Sequence, residues 1–282
     1  KRAARGGGRR TGREGAMKAN NLWNDVDALS RLALSEQDVE LQSGGASSPR
    51  GPLPPSAFPP FKNRTDFEIY TAEAPARLVS GDYHDAFLLS DDKLVFVIAD
   101  VSGKGVPAAL LRGFLRSMIR NVSTYSDSPG DTLTRVNRLL YDASLGPMYV
   151  TIFLGWYDTR SGALRYANAG HPHPYRVDRA GRVSKFGEVT GPILGILDIE
   201  RYDEQEEVLG VGERLLLYTD GITEARATNG EFLGDDCLTV MLQEHAAEPL
   251  GTMSERILEC VNEYQNNERH DDATLFALQR NS

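Results

Sequence analysis

Cysteine is almost missing from this chain: Cys237 and Cys260 are the only two in 282 residues. They form no CxxC pair, which excludes a disulfide framework and a cysteine-ligated zinc site. Neither begins the CxxxxxR loop of a thiol-based phosphatase, so a cysteine nucleophile is excluded as well. Both read as buried small hydrophobes in a reducing compartment. Long apolar runs are missing too. None approaches the roughly 18 residues that span a bilayer, and the charged N-terminus lacks the apolar segment of a secretory signal. The expectation is a cytoplasmic chain. Because it begins with Lys1 rather than Met, it is expected to be cut from something longer, with any upstream sensor or membrane segment out of view. The nucleophile elbow Gly-x-Ser-x-Gly is absent, and the histidines show no i, i+4 metal spacing.

Positive charge is scarce outside one end. The formal net charge is -9, yet the first eighteen residues carry seven Lys/Arg against one Glu. The remainder is therefore near -15, from -9 less +6. So acidic a body excludes nucleic-acid binding through general electrostatics and suits cations or a basic partner. Lys1 to Gly15 is Gly/Arg-rich without periodicity and reads as disordered, a linker rather than a nucleic-acid arm. Leu22 to Leu41 reads as one amphipathic helix, with Leu22, Val26, Leu29, Leu32 and Leu34 roughly on one face. Two readings stay open for it: pairing with a second copy as a homodimer, or packing on its own domain. Ser43 to Pro60 is a Gly/Ser then Pro-rich linker. The domain plan is a tail, helix and linker over 1–60 and one globular domain over 61–282.

Within that domain, strands are expected near Glu68 to Ala72, Tyr83 to Ser90 and Lys93 to Val101. Helices follow over Pro107 to Val122 and Asp131 to Leu145, with Asp131 and Thr132 at the second N-cap. Strands return at Tyr149 to Tyr157, Ala163 to Ala169 and Tyr175 to Val177, then a long Gly/Pro loop over Gly187 to Glu204. A strand ending at Asp220, helices over Cys237 to His245 and Met253 to Tyr264, and a last strand over Ala273 to Leu278 complete the order. This is not βαβ alternation, so it predicts an α+β fold of antiparallel sheets covered by helices.

What is present is a set of aspartates at strand ends: Asp82, Asp100, Asp220 and Asp271. LVFVIAD (Leu94 to Asp100) and RLLLYTDG (Arg214 to Gly221) are buried-strand patterns that end in a carboxylate. Gathering like charges in low dielectric is costly, and a hard divalent cation relieves it. Oxygen-only ligands select Mg or Mn. The loop Ser102 to Ala108 offers a rival, because Gly103, Gly105 and Ala108 fit a loose GxGxxA dinucleotide form. Two helices follow it instead of a helix and an acid-tipped strand, and the GxxxxGK[ST] spacing is absent, so Lys104 has no phosphate-loop role. His171, beside Pro172, reads as a structural turn residue.

Six stretches taken together resemble a known family: VSGDYHDAF (79–87), VIADVSGKGVPAALL (97–111), YVTIFLGWYD (149–158), LRYANAGHPHPY (164–175), LLLYTDGITEA (216–225) and DDATLFAL (271–278). The chain is similar to the metal-dependent serine/threonine protein phosphatases of type 2C, in the bacterial SpoIIE-like or RsbU-like branch. The departures are Ser80 for the first Gly of the commoner GGD form and His84 in the aromatic pair of GDFYD. The resemblance implies an αββα sandwich of two mostly antiparallel sheets flanked by helices, with two Mn or Mg ions between the sheets. It implies that Asp100 bridges both ions, with the Val101 carbonyl as a further ligand, direct or through water. Asp82 would complete one shell and Asp220 with Asp271 the other, while Asp272 is the lesser candidate. Asp100, Asp82 and Asp220 are then also the catalytic set, and Arg77 stands where a phosphate-binding arginine is placed. The implied reaction is hydrolysis of phosphoserine or phosphothreonine on a protein by a metal-activated water. The implied substrate is a phosphorylated STAS-domain anti-sigma-factor antagonist in a partner-switching pathway. A catalytically silent binding module that keeps the fold and docks the antagonist is the alternative.

Overall fold

A computed structural model describes Phe61 and residues 63–76, 80–103, 105–143 and 148–282. The expectations for the basic tail, the amphipathic helix with its homodimer and the Pro-rich linker, and those for Arg77, Val79 and Lys104, lie outside the described residues.

Ten strands and five helices are described, in the order β1 (Phe67–Ala74), β2 (Asp82–Ser90), β3 (Lys93–Val101), α1 (Val106–Ser123), α2 (Pro129–Asp142), β4 (Val150–Asp158), β5 (Ala163–Ala169), β6 (Tyr175–Val177), β7 (Val183–Lys185), β8 (Gln205–Val208), β9 (Arg214–Tyr218), α3 (Asp220–Thr223), α4 (Gly234–Glu244), α5 (Leu250–Tyr264) and β10 (Ala273–Arg280). They form two five-stranded sheets, β1-β10-β9-β6-β7 and β2-β3-β4-β5-β8. Every pairing in both is antiparallel.

Strand parity sets the layers. Along β3, Val95, Val97, Ala99 and Val101 pack with Leu111, Leu115 and Ile119 of α1 and Leu133, Val136 and Leu140 of α2. The alternate residues Leu94, Phe96 and Ile98 join Leu215, Leu217, Phe276 and Leu278 of the first sheet in a separate cluster. A third cluster covers the far face of the first sheet with Leu238 and Leu242 of α4 and Met253, Ile257 and Val261 of α5. The result is helices, sheet, sheet, helices. A strand buried on both faces reads as a continuous apolar run, which is why LVFVIAD stands out in the sequence. Asp100 follows the parity of Phe96 and Ile98, so its side chain belongs to the space between the sheets.

Three local expectations need correction. Ser128, not Asp131 or Thr132, caps α2: its Oγ accepts from the Asp131 N–H at 3.1 Å, and Pro129 takes the first helical turn. Asp220 does not end a strand but opens the short helix α3, after Thr219. The two cysteines are free as expected but only half-buried.

Candidate metal centre

The geometry begins with register. Asp82, first residue of β2, lies directly opposite Asp100 of β3, so the two carboxylates project from the same face. Asp82 is 6% exposed. Burial pushes its carboxyl well above the usual carboxylate range, and the charges of Asp100 and Asp272 push the same way. Two hydroxyls oppose this: Thr274 Oγ1 donates to Asp82 Oδ2 at 2.6 Å, and Thr219 Oγ1 donates to the same oxygen at 2.8 Å. Thr274 belongs to β10 and Thr219 directly follows β9, so these bonds stitch the two sheets together at the carboxylate end.

The first sheet brings its own acids to this end. Thr219 N–H donates to the Thr274 carbonyl at 3.0 Å, and Thr274 N–H to Thr219 Oγ1 at 2.9 Å. That fixes the tip of β9 against the start of β10. Asp220 is raised by burial first, then by Glu224 and Asp271. Asp271 is exposed, and one of its carboxylate oxygens accepts the Asp272 N–H at 3.0 Å. Two glycines allow the close approaches. A Cβ on Gly81 would stand 3.0 Å from the Val101 carbonyl oxygen, and one on Gly221 would stand 1.9 Å from the Asp272 carbonyl oxygen.

The sequence-predicted acids therefore meet as two pairs of electrostatic neighbours, Asp82 with Asp100 and Asp220 with Asp271, joined through Thr219 and Thr274. Among the described residues no three His, Cys, Asp or Glu side chains stand close enough to hold one ion as they are. The donor chemistry nevertheless fits a hard divalent cation: the carboxylates are oxygen ligands, and the strongest charges acting on buried Asp82 are other carboxylates.

Sequence reasoning missed three residues here. Asp272, expected to be the lesser of an adjacent pair of acids, accepts from Ala76 N–H at 2.7 Å and from Gly81 N–H at 2.9 Å. It thereby fixes Ala76 and Gly81, the residue directly before Asp82. Thr219 and Thr274 were the others, and their only signal was a Thr beside or near each motif aspartate in TDG and DDAT. His171 is a turn residue, as expected, with an added feature. The Asn168 side chain brackets it, accepting its N–H at 2.8 Å and donating to its carbonyl at 3.0 Å. Its Nδ1 lies 3.0 Å from Thr151 Oγ1, and Thr151 is the ladder partner of Asp100. Burial pushes the imidazole down to about 3, against a weaker opposing influence of the Tyr218 backbone. A neutral ring thus sits between the strand beside Asp100 and the strand that leads to Asp220.

A family model described as "Stage II sporulation protein E (SpoIIE)" matches residues 90–281. The chain belongs to the SpoIIE family. Its matched stretch includes Asp100, Val101, Asp220 and Asp271, while Asp82 precedes it. "Phosphoserine phosphatase RsbU" of Bacillus subtilis is 30% identical over 76% of this chain and 63% of its own length. The crystal structure of the RsbU and RsbW domains of Rv1364c from Mycobacterium tuberculosis aligns with TM-score 0.65 and 27% identity, over 76% of this chain and 60% of that one. The "SiaA-PP2C domain of Pseudomonas aeruginosa" aligns with TM-score 0.67 and 25% identity, over 75% of this chain and 85% of that one. The SpoIIE-family fold is the expected α+β sandwich. The chain spans 38% to 63% of the length of three curated relatives that it matches. Among the described residues, no helix is long and apolar enough to cross a membrane.

Proposed function

We propose that this domain is a protein serine/threonine phosphatase that hydrolyses phosphoserine or phosphothreonine on a STAS-domain anti-sigma-factor antagonist, within a cytoplasmic partner-switching pathway. The observation that carries the reading is the buried Asp82 carboxylate facing Asp100 across the ladder, with Asp272 adding to the negative field. Such an arrangement is unfavourable alone and favourable around cations. Asp82, Asp100, the Val101 carbonyl, Asp220 and Asp271 would hold two Mn or Mg ions. Those ions would supply the positive charge that readies a water and neutralises phosphate. The chain's own work is positional. Thr219 and Thr274 fix the Asp82 carboxyl, Asp272 holds Gly81 directly before it, and Gly221 lets the Asp220 corner close on the 271–272 turn. The relative named as a phosphoserine phosphatase supports the substrate class, and the two free cysteines suit a reducing compartment.

The test is manganese-dependent phosphate release from phosphorylated STAS proteins by the wild type and Asp100→Asn. Loss of activity in the variant is expected. Wild-type turnover by Asp100→Asn refutes the site, and a wild type that binds the antagonist without releasing phosphate is the silent docking module instead.

A further inference from the structure

We propose that the outer face of α1 is a docking surface for an acidic, phosphorylated protein segment, with Arg112 at its inner end contacting the phosphate. The proposal rests on the phosphatase reading above and deepens it.

The helix Val106–Ser123 contains Arg112, Arg116 and Arg120 and no Asp or Glu among its 18 residues. A spacing of four places the three on one side, while Ala108, Leu111, Leu115 and Ile119 are buried against the second sheet. On a chain with a net charge of -9, an acid-free row of arginines is a local reversal of sign.

The row leads to the carboxylate centre. Arg112 Nη1 donates to the backbone carbonyl of Asp82 at 3.4 Å, the long limit of a hydrogen bond. Glu73 is held below its usual range first by the hydrogen bond from His84 and also by the Arg112 charge, which places that guanidinium at the same edge of the sandwich. A guanidinium offers five N–H donors in a planar fork suited to phosphate. Among the described residues, Arg112 commits one of them, and weakly.

Farther out, the row is anchored rather than neutralised. Arg120 forks onto the buried Asp85 carboxylate at 2.6 and 2.7 Å, and Arg116 Nε stands 3.5 Å from the same group. Asp85 at the outer end and Glu73 beside Arg112 are two carboxylates against three guanidiniums, so a surplus of one positive charge remains. The side chains of Arg116 and Arg120 are 61% and 42% exposed, and the Arg120 guanidinium lies over the Phe87 ring. Gly113 and Ser117, also exposed, keep the surface between them low, and a Cβ on Gly113 would meet nothing within 4 Å. A flat basic shelf that runs into a phosphate-handling centre suits a segment whose phosphorylated residue is flanked by Asp or Glu. Charge at such a rim steers the approach and sets the register of the phosphate at the site.

The experiment compares a fluorescent phosphoserine peptide with acidic flanks and the same peptide with neutral flanks, by anisotropy in manganese buffer. Wild type, Arg116→Glu, Arg116→Gln and Arg112→Ala are measured alongside Arg256→Gln on α5 as a remote control. Arg116→Glu should weaken the acidic peptide about ten-fold, equivalent to ~1.4 kcal/mol. Arg116→Gln, which places no acid beside Asp85, should weaken it less, and the preference for acidic flanks should fade as salt rises. In turnover, Arg116→Glu should raise the KM ratio of peptide to para-nitrophenyl phosphate, and Arg112→Ala should raise both KM values. Arg116 variants that bind the acidic peptide as the wild type does would overturn the proposal. So would equal losses on both substrates in the Arg116 variants, the mark of a merely structural role. A wild type that binds in an Arg116-dependent way yet releases no phosphate keeps the docking face and sinks the phosphatase reading.

Discussion

Replacing Gly221 with alanine should impair the centre without removing a carboxylate. The added Cβ would lie 1.9 Å from the Asp272 carbonyl oxygen and 2.8 Å from its carbon. Both are backbone atoms, so no side-chain rotation relieves the clash. Side-chain β-carbons essentially never come within 3.0 Å of another heavy atom, so the Asp220 corner and the 271–272 turn must separate by roughly 1 Å in a close-packed region that resists small shifts. Overpacking of this kind costs about 1–3 kcal/mol. For a domain of this size each kcal/mol lowers Tm by roughly 2–4 °C. The functional loss should be larger, because a misplacement of ~1 Å can cost on the order of 100-fold in rate. The assays are thermal unfolding by circular dichroism and kcat/KM for manganese-dependent phosphate release. Gly113→Ala is the matched control: it is exposed in α1 with open space around it, and alanine there should stabilise the helix by up to ~1 kcal/mol. If Gly221→Ala keeps wild-type Tm and kcat/KM, the two corners are not in contact, and the pairing of Asp220 with Asp271 fails with it.

Two further outcomes are expected. Burial holds His171 at about 3 against an ordinary 6.5, so the unfolded chain takes up this proton first, and stability should fall as pH drops from 6.5 towards 3. His171→Gln should flatten that dependence in urea midpoints taken across the range, and parallel slopes would refute the assignment. Arg120→Ala strips the fork from Asp85, which is 4% exposed. It should cost about 2 kcal/mol in chemical denaturation, less than a fully buried pair because Arg120 is part-exposed. Replacing both partners with apolar residues should recover most of that loss, and no recovery would show that the pair itself is not what matters.

Most strands were legible because burial leaves a pattern. Lys93–Val101, Ala163–Ala169 and Tyr175–Val177 have the expected bounds. Two strands were not foreseen. Gln205–Val208 is exposed along its whole length at the sheet edge, so it carries no apolar alternation to read. Val183–Lys185 has three residues, none of them buried, too few for a period. The N-cap of α2 went astray because Ser128, Asp131 and Thr132 are all capping residues in sequence, and only backbone geometry chooses among them.

The amino-acid order by itself determined the layers and the acids, since hydrophobic parity and strand-end aspartates are properties of neighbouring residues. Tertiary structure alone decided how those acids are held. Thr219 and Thr274 reach Asp82 across 137 and 192 residues, and Asp272 reaches Gly81 across 191. Partnerships at such separations depend on how two sheets stack, and local periodicity contains no record of that distance.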